Sequence, residues 1–313
     1  MNPVRRNPVP RSSTAHRSPR AEPPTAATVT AALVVALGIA CAAMASESPA
    51  AVDARPPAST PHPTAAAHTS ARASSAVARA WGLATPPLTP PRPPTLKPAI
   101  GFRKGFEVSG PDTATLPPVF TTIPTTDKVV FLTIDDGAEK DPEFLRMTRE
   151  LHIPYTAFLT DSAIKDNYGY FRRMQGTGTH LNNHTLNHRY LRGMTRDGQQ
   201  REICGQQNII QKVFGTAPKL FRPPYGAYDA NTLRAAKSCG VTHVPLWNAE
   251  AFPDHMEWRE ADRDLHPGDV ILTHFRGPTQ WKAPMTDALR QILRVATDRG
   301  YALARLEDYL PTV

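Results

Sequence analysis

The stretch Lys128-Val129-Val130-Phe131-Leu132-Thr133-Ile134-Asp135-Asp136-Gly137 indicates the fold class. Its first seven residues form a nearly continuous, β-prone apolar run, which is typical of a strand covered on both faces. Similar short runs recur at Tyr155–Leu159, Lys219–Phe221, Val241–Pro245, Val270–Thr273 and Tyr301–Leu306. The recurrence predicts parallel strands, with the Asp-Asp pair at the carboxyl end of the first one.

Helical patterns lie between these runs. Asp229 is predicted to be the N-cap of a helix that ends at Gly240. A second helix is predicted before Gly300 from apolar residues at helical spacing, namely Met285, Leu289, Ile292, Leu293 and Ala296. Strands that alternate with helices predict an α/β domain, built either as an open sheet or as a barrel.

The first 124 residues differ in composition from the rest of the 313-residue chain. They hold 22 of the 33 prolines, and their 12 Lys and Arg against 5 Asp and Glu supply most of the net charge of +8. From residue 125 onward there are 24 Lys and Arg against 23 Asp and Glu, so the folded part lacks the basic stripe that a nucleic-acid partner requires. We therefore expect no nucleic-acid binding.

The N-terminal segment predicts export. Residues 28–45 are apolar, follow a basic segment, and end in Ala43-Met44-Ala45, which fits the small-x-small rule for signal cleavage. Residues 1–45 are therefore predicted to be a signal peptide or an uncleaved anchor that tethers the chain to the membrane. Residues 46–124, rich in Pro, Ala, Ser and Thr, are predicted to be a largely disordered spacer before a domain over 125–313. This order predicts a secreted or cell-surface protein on the wall side of the membrane.

Cys204 and Cys239 are an even pair within the domain. In an oxidising compartment they could form a disulfide, and burial as two separate small apolar residues fits the sequence equally well. The sequence leaves both arrangements open.

Two motifs combine carboxylates and imidazoles in a pattern suited to a metal. Asp135 and Asp136 project in different directions from an extended segment, so one can bind a metal while the other transfers protons. His184 and His188 are four residues apart, the separation that places two imidazoles on one face of a helical turn. With Asp136 they predict a metal site that leaves a coordination position for water. Taken alone, Asp-Asp-Gly also suits a plain turn.

Two further motifs follow predicted strands. Arg222, in Arg222-Pro223-Pro224-Tyr225-Gly226, could orient a carboxylate through two parallel hydrogen bonds, although the prolines also suit a rigid turn. His274, in Leu272-Thr273-His274, ends an apolar strand and so lies at the same carboxyl edge as the other motifs. Four such motifs in one domain predict a metal-dependent hydrolase.

These motifs resemble those of the polysaccharide deacetylases, the NodB-like domain of carbohydrate esterase family 4. The resemblance covers about Lys128 to Leu310 and implies a distorted parallel (β/α) barrel that hydrolyses acetyl groups on polymeric sugars. The resemblance implies that Asp136, His184 and His188 bind a divalent metal, usually zinc. It implies that Asp135 is the base, that Arg222 orients Asp135, and that His274 is the acid. The backbone N–H of Tyr225 would stabilise the oxyanion, and Trp247 and Leu272 would line the acetyl pocket.

The sequence departs from the family pattern beside the acid. The family has an Asp-containing segment ending in Asp-Trp that tunes the acid histidine, and Trp247-Asn248-Ala249-Glu250-Ala251-Phe252-Pro253-Asp254 has no clear match to it. Either Glu250 or Asp254 could replace the missing aspartate. Ala138 and Phe275 stand where the common pattern has a proline and an acidic residue.

The sequence thus predicts an exported, monomeric hydrolase that removes acetyl groups from N-acetylhexosamine units of peptidoglycan or a chitin-like polymer. Peptidoglycan is favoured because a signal and a spacer would place the domain at a cell wall. Two alternatives stay open: a wall-associated carbohydrate-binding protein with a degenerate deacetylase site, and a hydrolase of another C–N bond.

Overall fold

The computed structural model describes residues 74–311 of the chain. Its strands are β1 (Val119–Phe120), β2 (Val129–Asp136), β3 (Thr156–Leu159), β4 (His180–Asn183), β5 (Val244–Pro245), β6 (Ala249–Ala251), β7 (Met256–Trp258), β8 (Val270–His274) and β9 (Ala302–Ala304). Its helices are α1 (residues 74–80), α2 (Pro142–Glu150), α3 (Asp161–Ile164), α4 (Tyr168–Gly176), α5 (Arg196–Phe214), α6 (Ala230–Ser238), α7 (Pro278–Trp281) and α8 (Met285–Asp298).

The predicted signal peptide or membrane anchor, residues 1–45, lies outside the described residues, as does the predicted spacer up to residue 73. Between residues 74 and 311, the helices fall short of the length and apolar character required to cross a bilayer.

Strand β2 is the centre of the sheet. It is flanked in parallel by β3 and β8, with β4 beyond β3, and with β6 and the antiparallel β7 beyond β8. The short β9 pairs with the first three residues of β2. All but the last residue of β2 are buried, which explains why the strand has an apolar run and not an alternating pattern.

Isolated bridges close the sheet into a barrel. The end of β4 bridges to Phe221, and the adjacent Leu220 bridges to the residue before β5. Strand β5 pairs in parallel with β1, and the chain after β1 bridges to Asp269, the residue before β8. The structure therefore confirms the distorted parallel (β/α) barrel, although the predicted strand Lys219–Phe221 is reduced to these bridges.

Two helices match their sequence predictions. The Asp229 carboxylate caps α6 by accepting a hydrogen bond from the Thr232 N–H at 2.8 Å. Helix α8 buries the predicted apolar stripe against the barrel and ends two residues before Gly300. Local capping and periodicity were sufficient for both helices because each signal lies within one element.

Residues 74–124 are not the disordered spacer that their composition predicts. Trp81 is 9% exposed and donates from Nε1 to the Glu150 carboxylate at 2.8 Å, while Ala78 and Leu83 join the main core. Further along, β1 is part of the barrel. The prediction was wrong because average composition hides the few apolar residues that attach a proline-rich segment to a core formed elsewhere. The folded domain therefore begins well before residue 125.

Cys204 on α5 and Cys239 at the end of α6 form a disulfide that spans 35 residues of sequence. Of the two arrangements that the sequence left open, the structure shows the pair. The bond ties together two helices that pack against each other beside the barrel.

Replacing both cysteines by serine should lower the free energy of unfolding by about 4 kcal/mol, because the unfolded chain regains the freedom that a closed loop of this length removes. Urea unfolding followed by circular dichroism measures the difference. Wild-type protein unfolded with a reductant should match the double variant. Equal unfolding midpoints for oxidised wild type and variant would contradict the prediction.

Candidate metal and catalytic site

The four sequence motifs meet at one end of the barrel. Asp135 and Asp136 end β2, His274 ends β8, His184 follows β4, and Arg222 follows the segment that bridges to β4. Parallel strands present their carboxyl ends on the same side, so the direction of these strands is what brings the motifs together.

Asp136, His184 and His188 form a cluster suited to a metal. Their ligand atoms all lie within 4.8 Å of one another. Asp136 Oδ1 is 3.3 Å from His188 Nε2 and 3.6 Å from His184 Nε2. Burial opposes ionisation of Asp136, but the surrounding histidines outweigh burial and hold its pKa below the usual range.

The protonation pattern of this cluster fits a bound cation. His184 Nδ1 lies 2.7 Å from the Arg222 carbonyl and therefore donates to it, which directs the lone pair of Nε2 toward Asp136. Burial lowers the pKa of His184 to about 4 and so keeps the ring neutral. Asp136 Oδ1, although buried, has no hydrogen-bond partner among residues 74–311. A carboxylate oxygen and two imidazole nitrogens that converge in this way suit a divalent cation such as zinc.

The two histidines lie on a loop and not on the helical turn that their spacing predicts. The Thr185 N–H donates to Asn183 Oδ1 at 2.9 Å, and the His188 N–H donates to Thr185 Oγ1 at 3.0 Å. These side-chain acceptors replace helical carbonyls, because Asn and Thr compete with the backbone for its own N–H groups. The loop brings both imidazoles to Asp136, although the helical prediction was wrong.

Helix α5 holds this loop in place. Asn187 donates from its backbone N–H and its side-chain amide to the two carboxylate oxygens of Glu202, each at 2.8 Å. The Asn183 amide donates to Gln207 Oε1 at 2.9 Å. The sequence analysis does not predict this role for Glu202. Its signal in the sequence is a carboxylate on the face of α5 that packs inward.

Backbone strain concentrates at the site. Among residues 74–311, seven non-glycine residues have a left-handed φ, and four of them are Asp136, Thr185, His188 and Tyr225. Such conformations cost about 1–3 kcal/mol each and persist where surrounding structure imposes them, which is common at functional sites. The glycine of Asp-Asp-Gly is also required: Gly137 has a φ of 98°, and a Cβ there would lie 2.4 Å from a neighbouring side chain.

A buried arginine holds Asp135. Arg222 NH1 donates to Asp135 Oδ1 at 2.8 Å, while its other N–H groups donate to the carbonyls of Pro245 and Leu246. Asp135 thus receives one hydrogen bond from the guanidinium and not the two parallel bonds expected. Burial raises the pKa of Asp135 above its usual value, although Arg222 and His274 oppose that shift. A raised pKa suits a carboxylate that accepts protons near neutral pH.

His274 faces a partly buried glutamate. Its Nδ1 atom is 3.3 Å from Glu250 Oε1, and the Glu250 side chain is only 17% exposed. Asp254, the other candidate from the sequence, is 85% exposed and pairs with His255. The structure therefore places Glu250, and not Asp254, next to the predicted acid.

The other predicted residues flank this cluster. The Tyr225 ring lies 4.8 Å from the His188 ring, and the Trp247 ring centroid is 5.7 Å from the Arg222 guanidinium. Leu272 is buried on β8 two residues before His274, so both side chains face the same side of the sheet. The structure thus brings all nine predicted residues to one region.

Arg276 is a charged neighbour that sequence reasoning misses. Its NH2 atom is 3.6 Å from Asp136 Oδ2, and its side chain is 39% exposed. The only signal in the sequence is its position two residues after His274. The guanidinium places a positive charge at the mouth of the candidate metal site.

Comparison with known proteins identifies the family. Residues 122–244 match the family model for polysaccharide deacetylase. An uncharacterized protein of Streptomyces coelicolor is 44% identical over 196 residues, which cover 62% of this chain and 78% of that protein. The peptidoglycan-N-acetylglucosamine deacetylase of Bacillus cereus is 24% identical over 199 residues, which cover 60% of this chain and 91% of the relative.

The chain belongs to the polysaccharide deacetylase family.

A solved structure of a peptidoglycan N-acetylglucosamine deacetylase superposes on this family member with a TM-score of 0.55 at 25% identity, covering 64% of this chain and 95% of the other. The polysaccharide deacetylase match contains the two carboxylates, the loop histidines and the Arg222 motif. Glu250 and His274 lie beyond the matched residues, so their pairing is known from the geometry described above and not from the family model.

Proposed function

We propose that this polysaccharide deacetylase is exported, requires a divalent metal, and removes N-acetyl groups from hexosamine units of peptidoglycan or a chitin-like polymer. One observation carries the proposal. The Oδ1 atom of Asp136, which has no hydrogen-bond partner in the described part of the chain, faces the Nε2 atoms of His184 and His188. Asp135 Oδ2 lies 3.7 Å from the same His184 nitrogen. A metal-binding cluster thus has a separate carboxylate beside it.

Asp136, His184 and His188 would hold the metal, for which zinc is the proposed identity. A divalent cation bound there supplies Lewis acidity, which polarises the acetyl carbonyl group and makes water more acidic. Asp135 keeps its hydrogen bond to Arg222 and is left to handle protons.

The chain's own residues divide the proton transfers. Asp135 accepts a proton as water attacks the acetyl carbonyl carbon, and Arg222 keeps that carboxylate in position. The backbone N–H of Tyr225 donates to the carbonyl oxygen as negative charge develops on it. His274 gives a proton to the sugar nitrogen as the C–N bond breaks, so that acetate and a free amine leave. Glu250 is the positioning residue for His274.

The choice of polymer and of compartment rests on two observations. The Bacillus cereus relative is named for its action on peptidoglycan N-acetylglucosamine. The apolar residues 28–45 of this chain have the composition of an export signal. Together they support an enzyme that meets peptidoglycan outside the cell.

Acetate release from peptidoglycan fragments, chitooligosaccharides and acetylated xylan, measured with and without a chelator, tests the proposal. We expect release from at least one N-acetylated polymer, loss of release with the chelator, and recovery when zinc is added back. Polymer binding without any acetate release would instead identify a carbohydrate-binding protein with an inactive site. Release that persists in the chelator would contradict the metal requirement.

Replacing His188 by alanine should remove most of the bound metal, since one of three protein ligands is lost. We expect about one zinc per chain in the wild type by elemental measurement after dialysis, and less than about a tenth of that in the variant. His180→Ala is the matched control, because His180 lies at the opposite end of β4 and its side chain is half exposed. Equal zinc content in the His188→Ala and His180→Ala proteins would contradict the proposed ligand set.

A further inference from the structure

A cleft of about 570 Å³ begins beside Tyr225. Because the Tyr225 ring lies 4.8 Å from the His188 ring, this cleft adjoins the catalytic end of the barrel. Part of its lining comes from residues 225–230 and from Trp247, and the rest includes residues 105–109. Its volume falls within the range of about 300–1,000 Å³ that is typical of ligand sites.

Residues 105–109, called the wall segment below, line the cleft, and contacts at Arg103 and Phe106 fasten them to the barrel. The Arg103 N–H donates to the carbonyl of Val119 on β1 at 2.8 Å, and the Arg103 guanidinium donates to Asn248 Oδ1 at 2.8 Å. The Tyr228 hydroxyl, from the other part of the cleft lining, donates to the Phe106 carbonyl. These contacts join the chain to the barrel just before the segment, at Arg103, and within it, at Phe106.

A stack of three side chains joins the wall segment to the catalytic region. The Arg259 guanidinium lies 5.3 Å from the Phe106 ring centroid and 5.9 Å from the Trp247 ring centroid. Arg259 Nε also donates to the Trp247 carbonyl at 2.9 Å. Since Trp247 packs close to Gly226 beside Tyr225, the wall segment is held in a defined position relative to the site.

The side chains around the cleft suit a sugar. Tyr225 and Tyr190 are 66% and 52% exposed, with their ring centroids 6.4 Å apart, and Glu107 and Arg192 line the cleft. A sugar ring has an apolar face of C–H groups and a rim of hydroxyl groups. Exposed aromatic faces beside charged hydrogen-bonding groups match both of these features.

We infer that the wall segment is part of the substrate-binding site and that the cleft binds the sugar unit next to the one that loses its acetyl group. The inference rests on the proposed deacetylase function and deepens it. The ligand class is an N-acetylhexosamine oligomer of at least two units. The segment lies before residue 122, so the family match does not include it.

Substitutions in the full-length chain test the inference. Ser109 is exposed and lines the cleft, so Ser109→Trp should fill it, while Lys104→Trp adds the same bulk to an exposed position outside the lining. Each is combined with Asp135→Asn, so that binding of N-acetylglucosamine oligomers of one to four units can be measured by titration calorimetry without turnover. Glu107→Ala provides a second variant that opens the same wall without adding bulk.

With Asp135→Asn alone, we expect affinity to rise by about tenfold between one unit and the longer oligomers, a gain of the size that one good additional contact supplies. Ser109→Trp should abolish this gain, Glu107→Ala should reduce it, and Lys104→Trp should retain it. If affinity rises equally with oligomer length in all four proteins, the inference is overturned. A deacetylase that fails this test still releases acetate, whereas failure of the proposed function appears as absence of acetate release by the wild type.

Discussion

Asp135→Asn should lower kcat for acetate release by about 10³-fold and leave the zinc content unchanged. The Asp135 carboxylate is buried and accepts one hydrogen bond from Arg222, and it is separate from the Asp136, His184 and His188 cluster that would hold the metal. An amide of the same shape can still accept that hydrogen bond, but it cannot take up a proton from water. The substitution therefore separates proton transfer from metal binding.

Stability must be measured alongside kcat for this variant. Removing the Asp135 charge leaves the fully buried Arg222 without its anion, and breaking a buried pair in this way costs about 3–5 kcal/mol. Assays at a temperature where circular dichroism shows the variant to be folded remove this effect. Asp166→Asn, which changes an exposed carboxylate that pairs with Lys140, is the control and should keep full activity. A variant with more than about a tenth of wild-type kcat would show that another group is the base.

Glu250→Gln should lower kcat by about 10²–10³-fold and displace the alkaline limb of the pH profile. Burial raises the pKa of Glu250 to about 7, with Glu257 and Asp135 adding to the shift. Burial lowers the pKa of His274 to about 4. The two groups are 3.3 Å apart, so together they hold one proton between about pH 4 and pH 7 and lose it as the pH rises further. Activity that needs this proton should therefore fall above about pH 7.

A glutamine at position 250 removes the carboxyl group that shares this proton with His274. The alkaline limb should then move toward lower pH, because burial, the main cause of the low pKa of His274, is unchanged. Rates from pH 5 to 9 measure this displacement. Asp254→Asn changes the exposed carboxylate that the sequence could not separate from Glu250, and its profile should match the wild type. If Asp254→Asn shifts the profile and Glu250→Gln does not, the assignment is reversed.

The surroundings of Glu250 affect the expected size of this shift. Glu257 from β7 and Asp135 from β2 raise its pKa, while Arg276 and Arg222 oppose them.

The burial of Glu250 also predicts an effect of pH on stability. A carboxyl group whose pKa is raised on folding stabilises the fold fully below its unfolded pKa near 4.5, and this contribution disappears as the pH rises through about 7. Wild-type stability should therefore decrease over this range more than that of Glu250→Gln.

The residues of the candidate site were predictable because their signals are local or follow from strand direction. Asp135 and Asp136 come directly after an apolar run, and His274 ends another such run, so the parallel sheet brings them to one edge. The spacing of His184 and His188 indicated a shared ion but suggested the wrong backbone. That error arose because the spacing of four residues fits a helix, whereas Asn183 and Thr185 fold a loop with their own side chains.

The amino-acid sequence alone was sufficient to predict the fold class, the residue types of the site and two helices. Apolar periodicity, capping and motif chemistry each act within a few residues or through strand order, so they can be recognised in the sequence. Three features could be determined only from the folded structure. Glu250 and not Asp254 faces His274, Cys204 meets Cys239, and residues 74–124 pack on the domain. All three depend on the direction of side chains across elements distant in sequence, and composition and spacing carry no information about that direction.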